Sequence, residues 1–541
     1  MASTSFVHLL RPARSAAGVL TCCFAFACAG GEVDDRGDAS FGSDETTGDG
    51  DGDMSGDGDG DGDGDGDGDG DGDMTGDGDG DGDGACTLIG CACDDSPGSC
   101  EAPLACLAGI CGSNSCGDAV VDAPAEQCDD GNDFEGDGCN TNCSWTMVSA
   151  VAAGASHTCA LIEGGRIRCW GLNDAGQLGY GNTDNIGDNE HPSAPGDVVL
   201  GENAERLSVG GSHACAYLTD KTVRCWGYNG SGQLGLGNTE NIGDDEFPFS
   251  VDTIGINNAD IVDISAGGQH TCAFVGAGSV RCWGDAADGQ LGYGNTTGLS
   301  IPLSVDVDLG TVAATLGSGV DHNCALLDDG KVRCWGRNDH GQLGYGNTEN
   351  IGDNETPGTI VPVPILPQGI MDGTPIVDIA LANNHSCVVY ESGDVLCWGE
   401  NFYGQLGQGN TTTVGDNETL ATLYPVDLGA DAAALALGKH HTCALLTDGN
   451  VKCWGRNLYG QLGRGDIEHV GDDEVPADIG AIELGGTATS ITAGDYHTCA
   501  VVDGHDVVCW GFNDYGQLGY GDTELRGDDE LPAEVGGIDL L

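Results

Sequence analysis

The chain has 541 residues and carries 17 lysines and arginines against 88 aspartates and glutamates, so its formal net charge at pH 7 is −71. A negative field of this size repels phosphate backbones, which excludes general nucleic-acid binding and favours cationic partners and divalent metals. The 27 cysteines are typical of a protein made for an oxidising compartment.

Residues 1–28 are predicted to be an export signal. Arg11 and Arg14 provide a basic start, and the apolar stretch that follows is too short to span a bilayer. The end of this stretch resembles a bacterial lipoprotein signal, and the resemblance implies that Cys28 carries the lipid. Cys23 is a weaker candidate, and an ordinary cleaved secretory signal is the alternative. All of these predict export to the cell envelope, the outer membrane or the extracellular space, with a lipid as the only membrane anchor.

Residues 29–85 are predicted to be a disordered linker. From Gly48 to Gly84 glycine and aspartate alternate almost without interruption, and nothing there can build a core. The spacing of the aspartates is similar to that of a calcium loop, but the closing glutamate of the EF-hand frame is missing. We therefore expect a solvated tether that charge repulsion extends.

Two cysteine-rich modules follow, at residues 86–112 and 113–145. The first contains six cysteines, which implies three disulfides whose connectivity the sequence does not fix. The second resembles the myxobacterial cysteine-rich repeat of secreted proteins, on the segment Glu-Gln-Cys-Asp-Asp-Gly-Asn at 126–132. Its oxygen-bearing side chains could hold Ca²⁺, the one cofactor we consider, although turn formation between disulfides explains them equally well. These side chains are Asp129, Asp130, Asn132 and Asp137.

From residue 146 to residue 541 one unit occurs seven times. Each copy contains a His two residues before a Cys, a short turn, Cys-Trp-Gly and Gly-Gln-Leu-Gly, as in 157–179. Short alternating segments separated by glycine-containing turns predict antiparallel strands, so the fold class is all-β.

The first half of each unit is predicted to be a β-hairpin. In the first copy, the three-residue loop Glu163-Gly164-Gly165 sets a register in which Cys159 faces Cys169. Opposed positions on antiparallel strands lie about 4.5–5.5 Å apart, within the span of a disulfide. Because the two cysteines are ten residues apart in every copy, we expect seven disulfides. They are Cys159–Cys169, Cys215–Cys225, Cys272–Cys282, Cys324–Cys334, Cys387–Cys397, Cys443–Cys453 and Cys499–Cys509.

Three other features recur in all or most of the copies. We interpret the histidine and Gly-Gln-Leu-Gly as structural, since seven identical zinc sites without an obvious fourth ligand are improbable. An acidic loop, such as Gly243-Asp244-Asp245-Glu246, follows Gly-Gln-Leu-Gly in six copies and is missing from the third. We expect a solvated turn there, with a site for a cation or a basic partner as the alternative.

The pattern His-Thr-Cys-Ala-Leu … Cys-Trp-Gly-x-Asn-x-x-Gly-Gln-Leu-Gly resembles the repeat of the regulator of chromosome condensation family. The resemblance implies a seven-bladed β-propeller with one four-stranded blade per repeat. The cysteine pair departs from the family pattern and indicates an exported branch. Since a strand-like segment follows each unit and none precedes the first, we expect residues 531–540 to complete the first blade and close the ring.

The sequence contains no recognisable catalytic motif, so no catalytic residue is predicted. The favoured function is a monomeric, non-enzymatic scaffold that binds a protein or glycan partner at the bacterial cell surface. The alternative is an extracellular glycan hydrolase or lyase with its site in the propeller funnel. Guanine-nucleotide exchange, which the family also includes, is the least favoured because the chain is predicted to be exported.

Overall fold

The computed structural model describes residues 127, 128, 138–140, 142–256, 261–371 and 373–541, together with the backbone of 105–107 and 110–112. These residues form seven three-stranded antiparallel sheets and one two-stranded hairpin, which confirms the all-β propeller. The predicted signal with Cys28, the linker and the four candidate Ca²⁺ ligands lie outside the described residues. Among the described residues, no helix has the length and apolar character needed to cross a membrane.

Each of the seven sheets, called blades 1 to 7 in chain order, is built from three consecutive strands. The hairpin that precedes them pairs β1 with β2. The strands are β1 (Ala105–Leu107), β2 (Ile110–Gly112), β3 (Val148–Ala153), β4 (His157–Ile162), β5 (Arg166–Gly171), β6 (Ala204–Val209), β7 (His213–Leu218), β8 (Val223–Gly227), β9 (Ile261–Ala266), β10 (His270–Val275), β11 (Ser279–Gly284), β12 (Ala313–Ser318), β13 (His322–Leu327), β14 (Val332–Gly336), β15 (Ile376–Leu381), β16 (His385–Tyr390), β17 (Val395–Gly399), β18 (Ala432–Leu437), β19 (His441–Leu446), β20 (Val451–Gly455), β21 (Ala488–Ala493), β22 (His497–Val502) and β23 (Asp506–Gly511).

The predicted hairpin register is confirmed. In blade 1, Cys159 faces Cys169, and the turn glycine Gly165 has the left-handed φ of 78° that a three-residue loop requires. In blade 2 the same place is taken by Lys221, which adopts a φ of 72° although it is not glycine. The facing cysteines form a disulfide in every blade, with Cα atoms 4.0 to 4.1 Å apart.

The predicted fourth strand is not formed in the described residues. In five of the seven blades the segment after the repeat instead makes a short helical turn, a 3₁₀ turn in blades 2, 4, 5 and 6 and a single α-helical turn in blade 7. These turns are Pro248–Ser250, Pro357–Thr359, Leu420–Thr422, Pro476–Asp478 and Pro532–Val535. The chain then runs along the third strand with one backbone hydrogen bond, as from Ile482 to Val451 at 2.8 Å. Proline lacks an N–H and fixes φ, which opposes a regular ladder in such a segment.

The prediction that the C-terminal segment completes blade 1 is wrong. The backbone N–H of Ile538 donates to Val507 at 2.8 Å, so the segment lies on the third strand of its own blade 7. Its end still reaches blade 1, since Ser193 donates to the carbonyl of Asp539 at 3.3 Å and Arg168 donates to that of Leu540. The ring therefore closes through contacts between complete blades.

The described part of the second cysteine-rich module (residues 127, 128, 138–140 and 142–147, called the collar) packs on blades 1 and 7. Cys128 is joined to Cys139, and Trp145 stacks on His505 with ring centroids 4.7 Å apart. The backbone of Met147 accepts a hydrogen bond from Glu163 at 2.8 Å. Both Glu163 and His505 belong to turns between second and third strands, so the collar lies at that end of the blades.

Candidate functional site

The seven tryptophans join each blade to the one before it. Every indole is fully buried, and its Nε1–H donates to the backbone carbonyl of the glutamine in the Gly-Gln-Leu-Gly of the preceding repeat. The hydrogen bond from Trp226 to Gln177 is 3.1 Å long, and the one from Trp170 to Gln517 closes the ring at 2.9 Å. The structural interpretation of Gly-Gln-Leu-Gly is therefore confirmed.

The recurring histidines form a second set of links between blades. Six of them bond through Nε2 to the side chain that follows the histidine of the next blade, at 2.9 to 3.0 Å. The pairs are His213–Thr271, His270–Asn323, His322–Ser386, His385–Thr442, His441–Thr498 and His497–Thr158. Each partner also donates to the glutamine carbonyl that accepts the tryptophan, as Thr271 does to Gln233 at 2.8 Å. Because the hydroxyl proton is used there, the hydroxyl oxygen accepts from a neutral imidazole.

One link in this ring is missing. Blade 2 has Ala214 where the other blades have Thr, Asn or Ser, so the buried Nε2 of His157 has no hydrogen-bond partner. Burial lowers the pKa of His157 to about 3 and has the same effect on His213 and His497. The histidines therefore stay neutral and serve as links within the structure.

The acidic loops pack against the preceding blade through glycine. A Cβ on Gly243 would lie 2.4 Å from the carbonyl oxygen of Gly176, so this contact requires glycine. Burial and the neighbouring aspartates raise the pKa of Glu246 to about 7. In three loops, of which Asp244, Asp245 and Glu246 form one, the carboxylate oxygens lie within 4.8 Å of one another. The turn has a structural cause, and cation binding by these loops stays a hypothesis.

Residues that differ between repeats meet on one face of the ring, which we call the loop face. It is formed by the residue before each histidine and the residue after each Cys-Trp-Gly, which are hydrogen-bonded through their backbones in all seven blades. In blade order these pairs are Ser156/Leu172, Ser212/Tyr228, Gln269/Asp285, Asp321/Arg337, Asn384/Glu400, His440/Arg456 and Tyr496/Phe512. The loop face lies at the opposite ends of the strands from the turns that hold the collar.

Blades 5 to 7 carry a group of rings on the loop face, which we call the aromatic cluster. Its members are Tyr403, His440, Tyr459, Tyr496, Phe512 and Tyr515. Neighbouring rings lie 5.0 to 6.4 Å apart in tilted or edge-to-face geometry, with Tyr459 nearest to Phe512. Phe402 and Leu458 directly precede Tyr403 and Tyr459 in the chain and are 59% and 46% exposed. Phe402 also packs edge-to-face against His340, with ring centroids 6.0 Å apart. This is the largest collection of aromatic rings on the described part of the loop face.

Arg456 lies within the aromatic cluster. Its guanidinium carbon is 5.5, 5.2 and 4.9 Å from the ring centroids of Tyr403, Tyr459 and Tyr496. Its Nε is buried without a hydrogen-bond partner. The charge is thus stabilised by ring faces.

A buried carboxylate that is hydrogen-bonded to a histidine adjoins the cluster. The carboxylate of Glu400, 4% exposed as a residue, accepts from Nδ1 of His440 at 3.1 Å and from Asn384 at 3.4 Å. Burial raises the pKa of Glu400, but the hydrogen bonds and the charge of His440 outweigh it and hold that pKa below its ordinary value. A histidine oriented by a carboxylate is the arrangement that general acid–base catalysis uses.

Blades 3 and 4 give the loop face an acidic side. Burial, together with the charge of Asp288, raises the pKa of Asp321 to about 6, although Arg337 opposes the shift. Arg337 pairs with Asp339 at 2.6 Å and with Asp321 at 3.6 Å. The loop face therefore has two chemically different halves.

Sequence reasoning missed the aromatic cluster. The fourteen propeller cysteines lie beneath the loop face within the sheets, and Cys28, Asp129, Asp130, Asn132 and Asp137 fall outside the described residues. The cluster comes from blades about fifty residues apart in the chain, so no local motif marks it. Aligning the seven repeats and asking where they differ would have found Arg456 and its neighbours.

The chain matches the family model of the RCC1-like domain over residues 202–539 and that of the Regulator of chromosome condensation (RCC1) repeat over residues 148–177. It is 32% identical to the Ultraviolet-B receptor UVR8 of Arabidopsis thaliana over 321 residues, which are 59% of this chain and 67% of the receptor. It is 27% identical to the E3 ubiquitin-protein ligase HERC2 of Homo sapiens over 69% of this chain, but spans 7% of that ligase.

Two solved structures share the fold. Human WBSCR16 has a TM-score of 0.53 at 20% identity, over 68% of this chain and 93% of that one. Yeast RCC1 (Prp20), in a structure with Kap60 bound to it, has a TM-score of 0.53 at 22% identity, over 68% of this chain and 83% of that one. At these identities the likeness shows the fold alone.

Proposed function

The chain belongs to the RCC1-like domain family, and from that premise we propose that it is an exported, envelope-tethered scaffold that binds a protein partner through its loop face. Yeast RCC1, a propeller of the same fold, has been solved in complex with Kap60. A glycan partner is the alternative ligand for the same face. Export and the lipid at Cys28 rest on the sequence.

The observation that carries this proposal is the aromatic cluster. Residues that repeat are used in contacts between blades, so they are not available to a partner. The residues that do not repeat place tyrosine, phenylalanine and arginine together on the loop face at blades 5 to 7. Tyrosine and arginine dominate the binding energy at protein interfaces, where they sit among residues that exclude water.

The collar leaves the loop face free for a partner. It packs on the turns at Glu163 and His505. A strand of six residues separates these turns from the loop face by roughly 20 Å.

Site-specific photo-crosslinking on intact cells tests the binding face. A photoreactive phenylalanine analogue replaces Tyr515, which is 37% exposed on the loop face, or Glu391, which is exposed in the turn of blade 5 as a matched control. We expect a discrete adduct from position 515 and none from position 391. Equal adducts from both positions, or an adduct from 391 alone, would contradict the proposal.

The tether has its own test. Replacing Cys28 by Ser should move the protein from the membrane fraction to the soluble exported fraction and remove incorporation of labelled palmitate. Cys23→Ser is the matched control and should change neither. A Cys28→Ser protein that stays in the membrane fraction would contradict lipidation at Cys28.

The enzyme alternative is favoured by one observation, the Glu400–His440 pair beside the aromatic cluster. If the propeller cleaves an envelope glycan, Glu400→Gln should abolish turnover, because the histidine loses the carboxylate that orients it. Asp339→Asn, on the acidic half of the loop face, is the control. Turnover with this dependence would replace the scaffold proposal.

A further inference from the structure

Arg456 differs from every other described arginine in having no acceptor. Seven arginines have a carboxylate oxygen within 4.0 Å, and two others donate to backbone carbonyls. The first group is Arg166, Arg168, Arg206, Arg281, Arg337, Arg464 and Arg526, and the second is Arg224 and Arg333. Arg456 has only aromatic rings beside its guanidinium. Scarcity of counterions does not explain this, since acidic residues outnumber basic ones by 88 to 17.

The three rings stabilise the positive charge but leave its hydrogen-bonding capacity unused. A guanidinium that lies over a ring face keeps its N–H bonds directed outward in its own plane. The Nε of Arg456 is buried and unpaired, as are those of Arg224 and Arg333, so the N–H groups available to a ligand are those of the two Nη atoms. The geometry thus prepares a planar, bidentate donor with no acceptor of its own.

We infer that Arg456, with Tyr403, Tyr459 and Tyr496, forms a binding subsite for a single carboxylate. The ligand is an aspartate, glutamate or C-terminal carboxylate of the partner protein, flanked by a flat apolar group that packs on the rings. The identity of the partner's group rests on the proposed function, whereas the subsite itself can be tested without a partner.

The charges around the subsite favour one carboxylate over a polyanion. Arg456 brings one unpaired positive charge, and the nearby Lys439 is 4.0 Å from Asp495. The chain as a whole is strongly negative, so each further negative charge on a ligand would meet repulsion. A partner that is basic overall is attracted by the negative chain, and a single acid group on it can bind Arg456. A polyuronate carries many negative charges and would be repelled.

The chain contains a matched control at the equivalent position of blade 4. Arg337, like Arg456, follows Cys-Trp-Gly, but its guanidinium already pairs with Asp339 and Asp321. A carboxylate ligand should therefore compete poorly for Arg337. The two arginines share the fold position and the face, and differ in whether an acceptor is present.

The test follows the arginine Nε–H signals of the exported full-length protein, labelled with ¹⁵N-arginine, by NMR. Benzoate is the probe, and benzamide is its uncharged counterpart of the same shape. We expect benzoate to shift the Arg456 signal saturably in the millimolar range and to leave the Arg337 signal unchanged. Benzamide should move neither signal, and raising NaCl about tenfold should weaken the benzoate shift severalfold. Arg456→Lys, which removes the signal, assigns it.

Three results would overturn the inference: no shift at Arg456, equal shifts at Arg456 and Arg337, or equal shifts with benzoate and benzamide. The main titration uses the unsubstituted protein, so a folding defect in a variant does not affect it. An adduct from position 515 without a benzoate shift would reject the subsite and keep the scaffold. A benzoate shift without any adduct would reject the scaffold and keep the subsite.

Discussion

The contacts between neighbouring blades, made by the tryptophan and histidine of each repeat and called the seams, use the same residues throughout the ring. The loop face, in contrast, has a different pair of residues in every blade. At the seams, seven tryptophans donate to seven glutamine carbonyls, and six of seven histidines bond to the next blade. On the loop face the pair is Ser156/Leu172 in blade 1 and His440/Arg456 in blade 6. The comparison indicates that the repeated residues build the ring, and that the residues that vary are left available to a partner.

Lowering the pH should have the largest effect on the folding stability, because it acts on the histidines of the seams. Burial lowers the pKa of five histidines to about 3 (His157, His213, His322, His441 and His497). The unfolded chain takes up protons below its ordinary histidine pKa of about 6.5 and the folded chain does not, so stability is lost as the pH falls from about 6.5 toward 3. At pH 5 each histidine contributes a loss of about 2 kcal/mol, and five together a loss on the order of 10 kcal/mol.

The acidic loops oppose this trend, because the raised pKa values of Glu246 and Glu530 favour the folded protein as the pH falls from about 7. The free energy of unfolding, measured in denaturant at pH 7.5 and pH 5, checks the balance. The exposed His191 serves as the control, since His191→Gln should leave the difference between the two pH values unchanged. His441→Gln leaves the acidic loops in place and should reduce the loss of stability between pH 7.5 and pH 5 by about 2 kcal/mol. An unchanged pH difference in this variant would contradict the assignment of neutral buried histidines.

A single seam substitution should cost more than a substitution of similar size on the loop face. Trp226→Ala leaves a cavity and an unpaired Gln177 carbonyl, and we expect a loss of about 3–5 kcal/mol in the free energy of unfolding. Phe402→Ala removes a ring that is 59% exposed, and should change that free energy by less than about 1 kcal/mol. Denaturant titration of both variants gives the two free energies of unfolding. Equal losses in the two variants would show that the seams contribute no more to stability than the loop face does.

The smallest expected effect comes from adding the missing hydrogen bond between blades 1 and 2. Ala214→Ser should give the unpaired Nε2 of His157 an acceptor and raise the free energy of unfolding by about 1 kcal/mol. Ala216→Ser, two residues further along the same strand, is the matched control, because it gives no unpaired histidine nitrogen an acceptor. A loss of stability at position 214 equal to that at 216 would show that the histidine links contribute nothing.

The repeat unit, the hairpin and the facing cysteines could be predicted because their causes are local. The loop Glu163-Gly164-Gly165 sets the register over a few residues, and Cys159 meets Cys169 as a result. The fourth strand could not be predicted correctly, since the extended pattern around Val475 to Leu484 resembles a strand while Pro476 begins a 3₁₀ turn instead.

The closure and the candidate site depend on contacts between distant parts of the chain. The repeat pattern predicts residues 531–540 in blade 1, but the hydrogen bond of Ile538 to Val507 places them on blade 7. Arg456 is remote in sequence from Tyr403 and Tyr496, and only the ring arrangement brings the three together. Each of these residues is unremarkable in its own repeat.

The central claim, that the varying residues of the loop face carry binding and not stability, has one direct measurement. Phe402 and Leu458 are both replaced by Asp, which blades 1, 4 and 7 have at the same position as Asp174, Asp339 and Asp514. The melting temperature and the photo-adduct from position 515 are then measured on the same protein. We expect a melting temperature within about 2 °C of that of the unsubstituted protein, since both side chains are exposed, together with loss of the adduct. An adduct of undiminished yield, or its loss only together with a lower melting temperature, would contradict the claim.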